Sequence, residues 1–313
     1  MYLPLLRGKQ FELLALRELS QLLSENQSKI SPIIEPVRDA FPNLLRLIEV
    51  FKEKGINFNL VFNPIVGQLI GKHNEILDAL ASQLEDYSNY QVSFYINESN
   101  STKDALRIAK KIKSRFSGFT FIHKFALDDL SILNELDDLN NTIYNVVDFS
   151  HTSRRYHRNF QSGTLVSLED QFTILQKNMD YLQNEDELFT EEHLHFGNEG
   201  FVGFSDYLTI GEGYSETGFL PYAVVIHLTY SDEQNRIRIH HFVSDSNDDT
   251  SDIAGKFAEA IEKMHNWLSN HRVQETIALN EFRALYRDEH FPGLGYLKKL
   301  SIMHHIELIL SLL

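Results

Sequence analysis

The chain contains no cysteine, and this absence excludes disulfide bonds, thiol nucleophiles and metal sites built on thiolates. The motifs of nucleotide cofactors are missing as well. There is no GxxxxGKS or GxxxxGKT loop, and the GEG segment at Gly211 is not followed by the strand and helix of a dinucleotide-binding fingerprint. The GxSxG turn of serine hydrolases is also absent. We therefore expect neither ATP nor NAD as a cofactor.

Basic residues are scarce relative to acidic ones, and the formal net charge is −15. Broad, non-specific binding of nucleic acid usually needs a basic face, so we do not expect it here. Long apolar runs are lacking too, since none approaches the roughly 18 residues of a membrane span. The first residues, MYLPLLRGKQFE, do not read as a signal peptide. These features predict a cytoplasmic protein without a membrane partner.

What the sequence does contain is a regular alternation of short β-rich runs and amphipathic segments. Successive runs start about 28 residues apart, which is the length of one strand-helix unit in a parallel sheet. They begin at Tyr2, Ile30, Phe58, Gln91, Phe119 and Thr142. Helical spacing of apolar residues follows at 11–23, 43–51, 76–84, 105–116 and 127–139.

Two later runs, TLVSLEDQF and the segment from Phe201 to Ile210, would supply the seventh and eighth strands. The prediction is therefore an α/β fold with a TIM-barrel-like (β/α) repeat over residues 1–215. An open, doubly wound sheet is the alternative. In a barrel, the chemistry lies at the carboxyl ends of the strands.

Residues 216–313 have a different pattern. The runs YAVVIHLTY and RIRIHHFVS flank the turn sequence SDEQN, which predicts an antiparallel hairpin from Tyr222 to Ser244. Helices are predicted from about Ile253 to Leu268, from Val273 to Tyr286, and from Leu297 onward. We interpret this region as a hairpin and helical extension packed on the barrel.

Several segments of the chain together carry a resemblance to one family. The N-terminal pattern is Tyr2-x-Pro4-x-Leu6-x-x-Lys9-x-x-Glu12-x-x-Ala15-Leu16 followed by Ile33-Ile34-Glu35, and the later segments are GFSDYLTIG, GFLPYAVVIHLTY and IHHFVSD. With these segments the chain resembles the Beta-protein family of satellite phages and bacterial phage-defence cassettes. The resemblance implies a barrel-like α/β fold and a role in protecting bacteria from phage. It also implies a partner protein from the same cassette, nuclease-like or toxin-like. It implies no reaction and no catalytic residues.

Polar residues follow most of the predicted strands and would converge on one mouth of a closed barrel. The catalytic candidates are Glu35, Asp148, Asp206 and His123; the candidates for binding an anionic substrate are Arg7, Lys9, Asn97, Arg154 and Arg155. Neighbouring residues on a strand face opposite sides, so only one of His123 and Lys124 can face the interior. A structural ion pair between Glu35 and Arg7 or Lys9 is the alternative for Glu35.

Histidines supply a second set of candidates. On a strand, the spacing of His193 and His195 would place both rings on one face, where they could hold a metal ion. No further ligand of familiar spacing completes that site. His227 and His240 lie on the two strands of the predicted hairpin, where cross-strand packing explains them.

Two functions of different class follow from these observations. The first is an interaction protein of a phage-defence cassette that binds a partner protein or a phage-derived trigger through the hairpin and helices. The second is a hydrolase of phosphodiesters. In it, Glu35, Asp148 and Asp206 would act as ligands of a divalent metal or as general acid and base groups at the barrel mouth.

Overall fold

The computed structural model describes residues 1–97, 99–112, 118–129, 131–132, 135, 142–153, 155–216, 218 and 220–313. The chain divides into two compact units. The first contains Met1–Asp170 and His195–Tyr207, and the second contains Gln171–Leu194 and Leu208–Leu313. The sequence prediction assigned residues 171–194 to the barrel. They belong to the second unit because a strand within them pairs there.

Eight parallel strands form the sheet of the first unit, in the order β1-β2-β3-β4-β5-β6-β7-β9. Their bounds are β1 (Leu5–Leu6), β2 (Ile33–Ile34), β3 (Phe58–Val61), β4 (Tyr90–Ile96), β5 (Phe119–His123), β6 (Thr142–Asp148), β7 (Leu165–Leu168) and β9 (Gly203–Ser205). Each strand except β9 pairs with the next one in this order, as the even spacing of the runs predicts.

The sheet closes between its first and last strands. Phe204 N donates to Met1 O at 3.0 Å, Leu3 N donates to Phe204 O at 2.9 Å, and Leu5 N donates to Asp206 O at 2.9 Å. Tyr2 also forms a parallel bridge with Phe204. The predicted TIM-barrel-like fold is therefore confirmed, and the open sheet is not what forms.

The barrel helices follow their strands where the apolar spacing predicts them. They are α1 (Gln10–Glu18), α2 (Ser20–Glu25), α3 (Pro42–Lys54), α4 (His73–Leu84) and α5 (Ser99–Ile112). In α3, Pro42 lies in the first turn and Gly55 ends the helix in a left-handed conformation, which are the usual residues for these places. The predicted helix at 127–139 falls largely outside the described residues.

Alternation along the strands separates the barrel interior from its helix-covered face. The interior cluster is fully buried and draws on nearly every strand; its members are Leu3, Leu5, Ile33, Val61, Tyr95, Ile122, Val146, Val166, Leu168 and Tyr207. Residues two positions further along the chain from these therefore also face inward. This relation places Arg7 after Leu5, Glu35 after Ile33, and Lys124 after Ile122.

The second unit contains an antiparallel sheet in the order β10-β11-β8, with strands β8 (Asp186–Thr190), β10 (Val225–Ser231) and β11 (Ile237–Val243). The hairpin of β10 and β11 agrees with the predicted one. Its helices are α6 (Glu192–His195, at the boundary with the first unit), α7 (Ile253–Leu268), α8 (Ile277–Arg287) and α9 (Leu294–Leu312). Among the described residues, no helix is long and apolar enough to span a bilayer.

Candidate active site at the barrel mouth

The carboxyl ends of β1, β2 and β4 bring three buried side chains together. The Arg7 guanidinium forms an ion pair with the Glu35 carboxylate, and Tyr95 Oη donates to Glu35 Oε2 at 2.9 Å. Arg7 Nη1 also lies 3.3 Å from Tyr95 Oη. All three residues are at most 3% exposed, so the charges are compensated within the barrel rather than by bulk water.

Backbone groups complete the surroundings of Glu35. Ile65 N and Val66 N donate to Glu35 Oε1 at 2.8 and 3.4 Å, so both carboxylate oxygens of Glu35 accept two hydrogen bonds. Gly8 permits this arrangement, because its φ is +59° and a Cβ there would lie 2.8 Å from Glu35 O. The Glu35 carboxylate is thus fixed in one orientation.

A second group forms at the ends of β5 and β6 and just after β9. Lys124 Nζ lies 2.9 Å from Asp148 Oδ2 and donates to Tyr207 Oη at 2.5 Å. Tyr207 Oη lies 3.4 Å from the same Asp148 oxygen, and Ser150 N donates to Asp148 Oδ1 at 2.9 Å. This buried set of an ammonium, a phenol and a carboxylate has the composition of a proton-transfer site.

Tyr207 connects the two groups. The Arg7 guanidinium carbon lies 5.2 Å from the centre of the Tyr207 ring, within the range of a cation–π contact, while Lys124 binds the hydroxyl of the same ring. Two cations, two carboxylates and two phenols therefore lie at the carboxyl ends of the strands. In barrel enzymes this is the end where substrates react.

Electrostatic surroundings fix the charge states on the Arg7 side of the mouth. Burial alone would lower the pKa of Arg7, but Tyr95, Glu35 and Tyr207 outweigh it and raise that pKa above its ordinary value. Burial, together with the Glu35 carboxylate, raises the pKa of Tyr95 well above its ordinary value. At neutral pH Arg7 is a cation, and Tyr95 is a neutral phenol that donates to Glu35.

Two predicted catalytic residues do not face this mouth. Asp206 follows Ser205 and precedes the interior residue Tyr207, so its side chain lies on the opposite side of the chain and accepts a 2.8 Å hydrogen bond from Tyr2 Oη. The expectation that Asp206 joins Glu35 and Asp148 at the mouth is therefore not met.

His123 is likewise directed away from the interior, and its neighbour Lys124 takes the inward place. The His123 ring contacts Asn145 Oδ1 and Tyr156 Oη, each at 3.1 Å, and packs against Phe160. Burial lowers the pKa of His123 to about 4, so this ring is neutral at pH 7. The structure gives His123 a packing environment outside the barrel.

The predicted substrate-binding residues are dispersed, apart from Arg7. Lys9 is half-buried and directly precedes α1, and Asn97 and Arg155 are exposed. Arg154 lies outside the described residues. These observations leave Arg7 and Lys124 as the cations that the structure places in the mouth.

The predicted metal pair does not form a common face. His193 and His195 belong to the short helix α6 rather than to a strand, and residues two apart on a helix point in different directions. His193 is buried and its Nε2 contacts Asn235 O at 2.7 Å, whereas His195 is exposed. On the hairpin, His227 pairs with His241 rather than with His240, and their Nδ1 atoms lie 2.7 Å apart.

Two groups of the mouth were not identified from the sequence, the phenols of Tyr95 and Tyr207. Both lie in runs of mainly apolar residues, where a tyrosine is readily interpreted as core packing. The signal that could identify them is their position in the alternation: Tyr95 lies two residues before Asn97, which directly follows β4, and Tyr207 lies two residues after Ser205, the last residue of β9. A buried tyrosine near the carboxyl end of a barrel strand is well placed for chemistry.

The three predicted carboxylates do not fit a common divalent metal ion. Both Glu35 oxygens already accept two hydrogen bonds each, and Asp148 accepts from Lys124, Tyr207 and Ser150 N. A metal ion needs carboxylate lone pairs that are not already engaged in this way. Asp206 faces away from both. We therefore derive no step through a metal from this set.

Comparison with family models, curated proteins and solved structures found no match to this chain.

Proposed function

We propose that the chain is a hydrolase that acts on a phosphodiester or a related anionic ester at the mouth of its barrel. The observation that supports this proposal is the buried group of Lys124, Tyr207 and Asp148 at the carboxyl ends of three strands. Two buried ion pairs add little to the stability of a barrel, because the cost of desolvating the charges offsets most of their attraction. Their place at this end of the strands favours a role in binding and proton transfer.

The roles follow from the geometry. Arg7 and Lys124 would hold the anionic group, and Lys124 would stabilise negative charge that develops on it. Asp148 would accept a proton from the attacking water, and the Tyr207 hydroxyl would donate one to the leaving oxygen. One bond from phosphorus to the water oxygen forms, and one bond to the leaving oxygen breaks.

The test uses two matched pairs of variants. Asp148 and Asp206 are both buried aspartates near strand ends, and each accepts a hydrogen bond from a tyrosine, but only Asp148 faces the mouth. We expect Asp148→Asn to lower kcat/KM for bis(4-nitrophenyl) phosphate by roughly 100-fold or more, whereas Asp206→Asn leaves it nearly unchanged. Tyr207→Phe and Tyr2→Phe form the second pair, with the same expected contrast. The measurement is the release of 4-nitrophenolate by purified protein.

Equal rates for the two aspartate variants would contradict the proposal, as would a wild-type protein that hydrolyses neither this diester nor 4-nitrophenyl phosphate. Thermal unfolding of all four variants serves as the control for folding. Asp206→Asn and Tyr2→Phe disturb a buried hydrogen bond of similar kind, so a loss of activity confined to the mouth variants is not a stability effect.

A role in phage defence through a partner protein is the second candidate. Its support is the resemblance noted in the sequence together with the second unit, which has its own sheet and helices and is not needed to close the barrel. Leu220 and Tyr222 in this unit are 64% and 58% exposed, and exposed apolar side chains of this kind suit protein contacts.

We expect bacteria that express the chain with its genomic neighbours to resist phage, and Leu220→Ser with Tyr222→Ser to weaken this resistance by roughly tenfold or more. Efficiency of plating measures the effect. The control is the substitution Glu233→Ser in the exposed turn between β10 and β11. Unchanged plating on the double variant would exclude this patch, and sensitivity of the wild-type strain to every phage tested would contradict the defence role.

A further inference from the structure

The sheet of the second unit has two edges, β10 and β8, and they differ in how their backbone groups are satisfied. The pattern can be read from one bond: His241 N donates to Glu185 O at 2.8 Å, so the backbone of His241 is directed toward β8. Hydrogen-bonded pairs alternate along an antiparallel ladder, and Ile239 with Glu187 is therefore the next such pair.

On the β10 side, the same alternation directs the backbone of Thr229 away from β11. Thr229 lies opposite Ile239, whose own backbone groups are directed toward β8. The outward carbonyl of Thr229 is covered, because His304 of α9 contacts it through Nε2 at 2.7 Å. Thr276 Oγ1 contacts the other ring nitrogen of His304 at 2.7 Å and fixes the ring. This edge is closed to a further strand at its centre.

On the β8 side, Asp186 and Leu188 lie opposite His240 and Arg238 in the pairs that exchange no backbone bonds. The register shifts between Arg238 and Ile237, so the regular ladder ends at Leu188. Up to that point the alternation directs the amide and carbonyl groups of Asp186 and the amide of Leu188 outward from the sheet. Among the residues that the structure describes, none hydrogen-bonds to these outward groups. The Leu188 side chain is 45% exposed, so the edge is accessible. An open edge of this kind is a template for an added strand.

Charge decides what kind of strand fits this edge. Acidic residues outnumber arginines along this edge: Arg238 of β11 pairs with Asp186, and Arg236, just before β11, lies 4.0 Å from Glu191. The acids along and beside β8 are Glu185, Asp186, Glu187, Glu191 and Glu192. A second copy of β8 would bring like charges directly opposite each other, which is unfavourable. A basic strand would meet charges of opposite sign.

We infer that β8 is a docking edge for an extended, basic segment of a partner protein, which adds to the sheet of the second unit as a further strand. Backbone bonds to Asp186 and Leu188 hold the segment, and its lysine or arginine side chains meet the surrounding carboxylates. Leu188 contributes an apolar contact. This inference does not depend on chemistry at the barrel mouth.

The test uses a fluorescein-labelled octapeptide in which lysine and valine alternate, measured by fluorescence anisotropy against the full chain at physiological salt. We expect Leu188→Pro to weaken binding by roughly tenfold or more, because proline removes the outward N–H without breaking the ladder to β11. Leu188→Val keeps the N–H and an apolar side chain, and its affinity should stay within about threefold of wild type.

Two further peptides keep the inference falsifiable if Leu188→Pro fails to fold. A peptide of the same sequence, N-methylated at every residue, keeps its charge but offers no backbone N–H to β8 from either of its edges, and a glutamate–valine peptide reverses the charge. We expect both to bind roughly tenfold or more weakly, and we expect the Leu188 amide to exchange more slowly with solvent deuterium when the lysine–valine peptide is bound.

Equal binding of the methylated and unmethylated peptides would overturn the inference, because charge alone would then explain the association. Equal binding of the acidic peptide, no binding of the basic one, or self-association of the chain that Leu188→Pro abolishes would overturn it as well. In the last case, sedimentation equilibrium would identify a second copy as the occupant.

Discussion

Replacing Arg7 by methionine is expected to destabilise the first unit by about 3–5 kcal/mol, which is the usual effect of leaving a buried carboxylate without its cation. Glu35 is fully buried and has no second cation among its hydrogen-bond partners in the structure described. Urea denaturation followed by far-ultraviolet circular dichroism measures the change. The double variant Arg7→Met with Glu35→Leu should recover most of the loss, because it removes both charges.

The control for this prediction is an exposed ion pair. Arg283 and Glu275 are paired in the second unit with side chains 38% and 61% exposed, and Arg283→Met should cost less than about 1 kcal/mol. If Arg7→Met costs no more than Arg283→Met, the buried pair does not stabilise the barrel. A double variant that is stable but inactive would assign the pair to function, since folding would then not require it.

The barrel could be predicted from the sequence because its signal is repeated. Runs of apolar residues at even spacing mark six of the strands, and the position of a doubtful run can be inferred from the spacing of its neighbours. The same signal missed β8, whose residues DELFT contain two acids and one exposed leucine. Edge strands carry charges for protection, so their composition resembles a loop. The order of strands in the second sheet follows from contacts distant in sequence.

The candidate site was only partly predictable, for a reason specific to strands. A polar residue at a strand end faces either the barrel interior or the helices, and a shift of one position along the strand moves its side chain from one face to the other. Glu35 and Asp148 fall on the inward side, but His123 and Asp206 fall on the other, with Lys124 and Tyr207 in the inward places beside them. Only the register relative to interior residues such as Ile122 decides between neighbours.

Acid is expected to destabilise the second unit between about pH 6.5 and pH 4, the interval in which its buried histidines stay neutral. Burial lowers the pKa of both His241 and His304 to about 4, and lowers the pKa of His227 as well. The unfolded chain binds these protons near pH 6.5, whereas the folded chain does not until about pH 4. Between these values the unfolded state holds more protons, so stability falls as the pH falls, by about 1.4 kcal/mol per pH unit for each histidine.

From pH 7 to pH 5, the two histidines with a pKa of about 4 together predict a loss of about 4 kcal/mol. Burial raises the pKa of Glu307, and the proton that this carboxylate takes up in the folded protein opposes the loss. Trp267, the single tryptophan, lies in α7 of the second unit, so its fluorescence in urea reports this unit. His304→Gln should reduce the dependence on pH by the share of one histidine, about 1.4 kcal/mol per pH unit, and the exposed His290→Gln should leave it unchanged. Equal urea midpoints at pH 7 and pH 5 would contradict this prediction, because they would show that burial does not lower the pKa of these histidines.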